Sequence, residues 1–272
     1  MLRLRCRHGA PGRQSTDLGG GKTTAAAVRL GYHPVVVVID AHHPLLLGSA
    51  SPRRRALLQS VGLPLVVTTV DVDESTRTGE SPADYLRRVV VAKHDAVRER
   101  HDRAVAGSRE GDELASCAAL LVADTVVVQG DRLMGKPRDD AHAREMIAAL
   151  VGAEHQVLTR FIVDSAGTDG CPTGETVATS VWFRHVDDGQ IDRYVATGEG
   201  RDKAGAYAIQ GIGALLVERI AGSYANVVGL PLCAVVATLQ RLGLVGPLPL
   251  TSSLTSLLAS SLGDPGSPGD EG

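Results

Sequence analysis

Short apolar runs alternate along the chain with stretches whose apolar side chains recur every three or four positions, marking strands and helices respectively. "PLLLG", ending at Gly48, reads as a strand. Residues 53–61 read as a helix, with Ser51 as N-cap and Pro52 at its first position. "LPLVVTTVDVDES" is a second strand running into acids, and "ESPADYLRRVVVAKHDAV" a second helix, capped by Ser81 and ending near Val97. The polar, Gly-containing stretch from Arg98 to Cys117 predicts a surface loop or a frayed helix end. "CAALLVADTVVVQGDRLMGKP" predicts a strand and a hairpin turning at Gly130-Asp131. "DDAHAREMIAALVG" is a capped helix ending at Gly152. Two β-rich runs follow, "HQVLTRFIVDS" and "ETVATSVWFRHV", then a short helix in "DDGQIDRYVATGE", a Gly-rich loop, a strand, another loop and a closing helix. Strands and helices alternate, so the expected class is α/β with a mixed β-sheet.

The same pattern divides the chain. Residues 1–43 mix Gly, Arg and Pro with one strand-like run, "VVVVI", and read as a poorly ordered or accessory extension. Residues 44–244 carry the domain, and residues 245–272, rich in Ser, Gly and Pro, form a low-complexity tail.

With 272 residues the chain can bury a sizeable core. The formal net charge of −3 gives no global positive field, and an aromatic content of 3% leaves little for stacking platforms, so no nucleic-acid polymer is expected as a partner. Any anion site must be local. No apolar run approaches the length needed to span a bilayer, and the basic start lacks the apolar core of a secretory signal, which points to the cytoplasm with no membrane partner. The four cysteines show no C-x-x-C pair and read as reduced thiols.

"GGGKTT" resembles a phosphate-binding loop, but Thr16 stands where the first Gly of that motif belongs, so a Gly-rich linker is the simpler reading. Arg53, Arg54 and Arg55 are better placed. Cations crowded at the positive end of a helix are unfavourable unless an anion neutralises them, and guanidinium forks match phosphate oxygens. Ser49 and Ser51 add hydroxyls. Lys93 falls inside the apolar stripe of the second helix, where it either snorkels outward or meets an anion. Asp124 interrupts an apolar run and is costly if buried unpaired, unless it is a bulge or turn aspartate bonded to backbone. Asp71, Asp73 and Glu74 end a strand-like run, and Lys136 lies close behind Asp124 in "GKP". Together they would assemble like a metal–phosphate site, in which Mg²⁺ takes oxygen ligands. His42, His43 and His155 read as ordinary loop or sheet residues, and Trp182 and Phe183 as strand packing.

In "SASPRRRALL", "DVDES", "ESPADYLRRVVVAKHDAV", "ADTVVV", "GKP" and "DKAGAYAIQGIGALLVERIAGSYANVVGLPL", taken in that order, the chain resembles the Maf family of nucleoside triphosphate pyrophosphatases, once described as septum formation inhibitors. The resemblance implies an inosine-triphosphatase-like (Maf/Ham1-type) fold with two lobes around a cleft, often a homodimer. It also implies hydrolysis of a nucleoside triphosphate to monophosphate and pyrophosphate, with Mg²⁺ or Mn²⁺ as cofactor. Asp124 would be the proton acceptor, and Ser49, Arg53, Arg54, Lys93 and Lys136 would contact the triphosphate. Glu74 would help hold the metal together with Asp124. Arg53, Thr125 and Gln210 occupy positions associated with substrate choice; "AYAIQG" is similar to the dTTP/UTP branch. Tyr207 is a candidate for contact with the base. Gly48 stands where the family usually has Ala. An alternative from the same resemblance is a nucleotide-binding regulator of cell division in which hydrolysis is secondary. A phosphate-loop ATPase would rest on "GGGKTT" alone.

Overall fold

Leu45–Gly48 (β1) is buried along its whole length, as expected of a strand covered on both faces. The computed structural model describes residues 38–107, 112–166 and 171–247. "GGGKTT" and most of "VVVVI" lie outside the described residues. β1 pairs in parallel with Leu65–Thr68 (β2) on one side and with Ala119–Gln129 (β3) on the other. β3 pairs antiparallel with Arg132–Met134 (β4) and Glu154–Ser165 (β5); β5 pairs with Thr176–Phe183 (β6), and β6 with Val217–Ala221 (β7). The result is the mixed sheet expected, in the order β2-β1-β3-β5-β6-β7 with β4 off β3.

Pro52–Gln59 (α1) and Pro82–Val105 (α2) begin where their capping signals place them; Ser51 and Ser81 accept hydrogen bonds from the backbone N–H groups of Arg54 and Asp84. α2 ends well beyond Val97, and Asp112–Ala115 forms another short helix (α3), so much of the expected loop is helical. The reason is that the buried face continues past Val97 through His101 and Ala104, while Arg98 pairs with Asp102 one turn on. β2 in turn stops at Thr68, and residues 69–81 have no regular structure. Asp140–Leu150 (α4), Asp188–Ala196 (α5), Tyr224–Val228 (α6) and Leu232–Arg241 (α7) complete the elements, with two 3₁₀ turns at Ala204–Ala206 and Gly211–Leu215.

Alternation along β3 sends Leu120 and Val122 towards Val90 and Val97 of α2, and Leu121 and Ala123 into a cluster with Leu58, Val235 and Leu239. Asp124 and Thr125 continue that alternation. A separate cluster joins Ile147 and Leu150 of α4 to Val181 and Phe183. Ile39 donates its N–H to the Leu244 carbonyl, and Val245 packs in the core. Cys117 and Cys233 are free thiols, as expected of them.

Gly48 has a packing reason. A Cβ there would lie 2.5 Å from Cγ2 of Val97 and 2.8 Å from Cγ1 of Val122. Gly48→Ala is therefore expected to destabilise the protein by about 1–3 kcal/mol through overpacking, read as a lower urea midpoint; an unchanged midpoint would show that both valines yield freely.

Candidate functional site

The sheet opens at one place. On the same edge of β3, β1 pairs only as far as Leu121 and β4 begins only at Val127, so among the described residues no strand lies beside residues 122–126 there. A cleft of about 1040 Å³ lies at this gap, lined by the Ser49–Arg54 turn, residues 69–76, β3, the loop around Lys136 and residues 202–210. It holds seven Lys and Arg (Arg53, Arg54, Lys93, Arg132, Lys136, Arg138, Lys203) against three acids (Glu74, Asp124, Asp202), a local positive excess on a chain that is negative overall.

Lys93 does not snorkel. It is buried, and its Nζ lies 2.7 Å from Oδ1 of Asp124 and 2.6 Å from Oε1 of Glu74. Asp124 sits inside a continuous strand rather than at a bulge, in register with Arg160 of β5. Its Oδ2 has no hydrogen-bond partner among the described residues. Burial alone would raise the pKa of the half-buried Glu74, but the hydrogen bond and charge of Lys93, with Lys136 and Arg54 behind them, lower it overall. Lys136 is exposed at the cleft and makes no ion pair or hydrogen bond among the described residues. Of the other acids ending that run, Asp73 is exposed and bonded to Ser75.

The three arginines part company. Arg55 points to solvent. Arg54 is buried: Nε donates to the Gly229 carbonyl at 2.8 Å, NH1 to Ser49 Oγ at 3.0 Å and to the Ala123 carbonyl at 2.9 Å, and NH2 to Thr125 Oγ1 at 3.0 Å. Four of the five N–H donors of its guanidinium are thus engaged inside the protein. Burial lowers its pKa, while the charges of Asp124 and Glu74 oppose that shift. Arg53 stays partly open to the cleft, donating to the Val228 carbonyl at 3.3 Å and facing Asp202 at 3.5 Å. Val228 and Gly229 end α6, so the N-terminus of α1 meets the carbonyl-rich C-terminus of another helix. Part of the anion that the crowded cations required is that helix end.

Thr125 uses its hydroxyl within the fold, with Arg54, Thr159 and the Gly229 carbonyl as partners. Gln210 is exposed at the cleft, just before the second 3₁₀ turn; the Glu199 carboxylate fixes that turn by accepting the N–H groups of Ile212 and Gly213. Gly205 donates to the Gly135 carbonyl, tying the loops of Lys136 and Gln210 together. Gly205 needs its positive φ of 70°, and a Cβ there would lie 2.9 Å from Val127.

Tyr207, the candidate for contact with the base, lines the cleft from a largely buried position. It is 5% exposed, its hydroxyl pairs with His155 Nε2 at 2.8 Å, and its ring packs edge-on against Phe183. Burial pushes the His155 pKa down to about 4, so the ring is neutral in the fold. Sequence reasoning also passed over Tyr85, Arg88 and Glu80, which organise the loop bearing Glu74; only their place at the start of the second helix and just before it could have hinted at this. Among the described residues no group of three or more His, Cys, Asp or Glu could hold a metal, and no helix is long and apolar enough to cross a membrane.

Comparison with known proteins places these residues in a wider set. The family model described as Maf-like protein matches residues 44–242. A dTTP/UTP pyrophosphatase of Geotalea uraniireducens (strain Rf4) is 44% identical over 209 residues, covering 76% of this chain and 100% of that one. A dTTP/UTP pyrophosphatase of Anaeromyxobacter dehalogenans (strain 2CP-1) is 47% identical over 206 residues, covering 75% and 96%. Among solved structures, a HAM1 protein from Coxiella burnetii matches at TM-score 0.37 and 13% identity, covering 73% of this chain and 99% of that one, a likeness too loose to build on.

Proposed function

The chain belongs to the Maf-like family, and from that premise we propose that it hydrolyses dTTP and UTP, and modified pyrimidine triphosphates, to the nucleoside monophosphate and pyrophosphate. The names of its relatives support this substrate class. The observation that carries the chemistry is Asp124: one carboxylate oxygen is held by Lys93, and the other has no partner among the described residues, in a cleft with excess positive charge.

In this reading water attacks the α-phosphorus. A P–O bond to water forms as the bond to the bridging oxygen breaks, the electron pair leaves with pyrophosphate, and Asp124 Oδ2 takes the proton of the water. Lys93 holds that carboxylate by its other oxygen and aims it. Arg53, Lys136 and the Ser49 hydroxyl contact the triphosphate; Arg54, largely committed to the floor, has one N–H left to join them. Thr125 and Arg53 shape the substrate end of the cleft, and the exposed amide of Gln210 can both donate and accept at a pyrimidine edge.

A divalent metal, Mg²⁺ or Mn²⁺, belongs to the same reading. Glu74 and Asp124 each direct an oxygen at the single ammonium of Lys93, so two hard donors already converge on one positive charge. Two carboxylates completed by phosphate oxygens and water suit Mg²⁺, which seldom uses an all-protein cage. Glu74 and Asp124 would hold the ion, and when bound it would neutralise charge on the phosphate oxygens.

The reading extends to a homodimer acting in the cytoplasm, with residues 44–244 as the catalytic unit, 1–43 an accessory extension and 245–272 a tail. The deciding experiment incubates the full chain and Mg²⁺ or Mn²⁺ with dTTP, UTP, CTP, dATP and GTP and separates the products by ion exchange. The expected products are dTMP or UMP and pyrophosphate. Orthophosphate would overturn the bond assignment, and a purine preference the substrate class.

A further inference from the structure

Glu74 stands on a segment that neither a strand nor a helix supports, since residues 69–81 are irregular. Yet its carboxylate meets Lys93 at 2.6 Å. What fixes it is visible in its backbone. Three successive carbonyls are gripped by α2: Arg88 NH1 donates to the Asp73 carbonyl at 3.0 Å, the Tyr85 hydroxyl to that of Glu74 at 3.0 Å, and Arg88 NH2 to that of Ser75 at 2.8 Å. Arg88 is itself locked, its Nε and NH2 donating to the two carboxylate oxygens of Glu80 at 2.7 and 2.8 Å, with both side chains less than a fifth exposed. Its guanidinium also lies 5.4 Å from the centre of the Tyr85 ring. A planar fork with fixed donors can bracket carbonyls on both sides of one residue while holding a carboxylate; an ammonium cannot do all three. The neighbouring Arg87 shows the contrast, being 63% exposed and, among the described residues, paired only with Asp84.

We infer that Arg88, assisted by Tyr85, is a positioning residue that sets the Glu74 carboxylate in the cleft by clamping the backbone on either side of it. Arg88 makes no contact with that carboxylate; it acts through the main chain, while Lys93 of the same helix pairs with the carboxylate directly. A single rigid helix therefore both presents Glu74 and neutralises it, which explains how an irregular loop supplies a fixed group. This role rests on the nucleotide hydrolysis proposed above.

The test is a double-mutant cycle with dTTP as probe, on the full chain, together with hydrogen exchange of the backbone amides. Arg88→Gln is expected to lower kcat roughly 10- to 100-fold, the range of a misplaced group, with a smaller change in KM, and Arg88→Lys to recover little of it. In a Glu74→Gln background the same change should add no more than about twofold, because the two act through one group. Arg87→Gln should leave kcat unchanged. Amides of residues 69–81 should exchange faster in Arg88→Gln while those of α2 do not. Losses that multiply across the cycle, or an unchanged exchange rate in 69–81, would overturn the inference. A wild-type chain that hydrolyses no nucleotide would sink the proposed function instead, and the exchange experiment would still decide whether Arg88 holds the loop. Should Arg88→Gln fail to fold, Tyr85→Phe, which removes only the hydroxyl bond, must show the same signs at smaller size, or the inference falls.

Discussion

Asp124→Asn is expected to lower kcat for dTTP about 10²- to 10⁴-fold, the usual contribution of a positioned general base, while nucleotide binding is kept. The argument is local. Asparagine has nearly the volume of aspartate, so the strand and its pairing with β5 can stay as they are. The amide cannot take a proton from water, and its oxygen offers Lys93 a weaker partner than the carboxylate now 2.7 Å away. Glu74 remains to hold that ammonium, and removing a negative charge from a cleft that receives a polyphosphate does not weaken binding. Calorimetric titration with dTTP in the absence of divalent metal should therefore give a dissociation constant close to wild type, alongside a collapsed rate in product chromatography with metal present. A kcat within a few fold of wild type would remove Asp124 from its role. The same variant separates hydrolysis from the alternative of a nucleotide-binding regulator: a cellular effect that survived the loss of turnover would favour the regulator.

Arg54→Met should be the most destabilising single change in the cleft, costing about 3 kcal/mol or more. The guanidinium satisfies two carbonyls, of Ala123 and Gly229, and two hydroxyls, in a largely buried place at the floor of the cleft. Methionine fills much of the space but leaves the Ala123 carbonyl unpaired, at roughly 1–3 kcal/mol, and the Gly229 carbonyl with only the Thr125 hydroxyl, besides losing the charge-assisted bonds of the guanidinium. Arg55→Met, one position along at an exposed site, should stay within about 0.5 kcal/mol. Urea denaturation of the two variants makes the comparison. Equal midpoints would mean that water replaces the Arg54 bonds and that its burial is not what holds the floor.

The hydrophobic pattern was a good guide to the elements because strand and helix periods are properties of neighbouring residues. Both Ser-Pro helix starts, the hairpin at Gly130-Asp131 and the helix from Asp140 are where local chemistry puts them. Its failures were also local in origin. The polar surface of residues 98–105 hid a buried face whose partners lie on the sheet, so α2 runs longer than its charge pattern suggested.

The sequence by itself determined the mixed α/β class, the local character of any anion site and the two residues out of keeping with their surroundings, Lys93 and Asp124. A charge embedded in an apolar stripe demands an explanation wherever the chain goes. Which explanation holds was decided only in three dimensions. Lys93 and Asp124 are 31 residues apart and meet because α2 packs across β3. Arg54 finds its carbonyl acceptor 175 residues away, at the end of α6. The need for negative charge at the start of α1 was legible from the helix dipole alone. That a helix C-terminus supplies part of it, leaving Arg53 to face the cleft, follows from topology, because local spacing carries no information about which distant element will lie alongside.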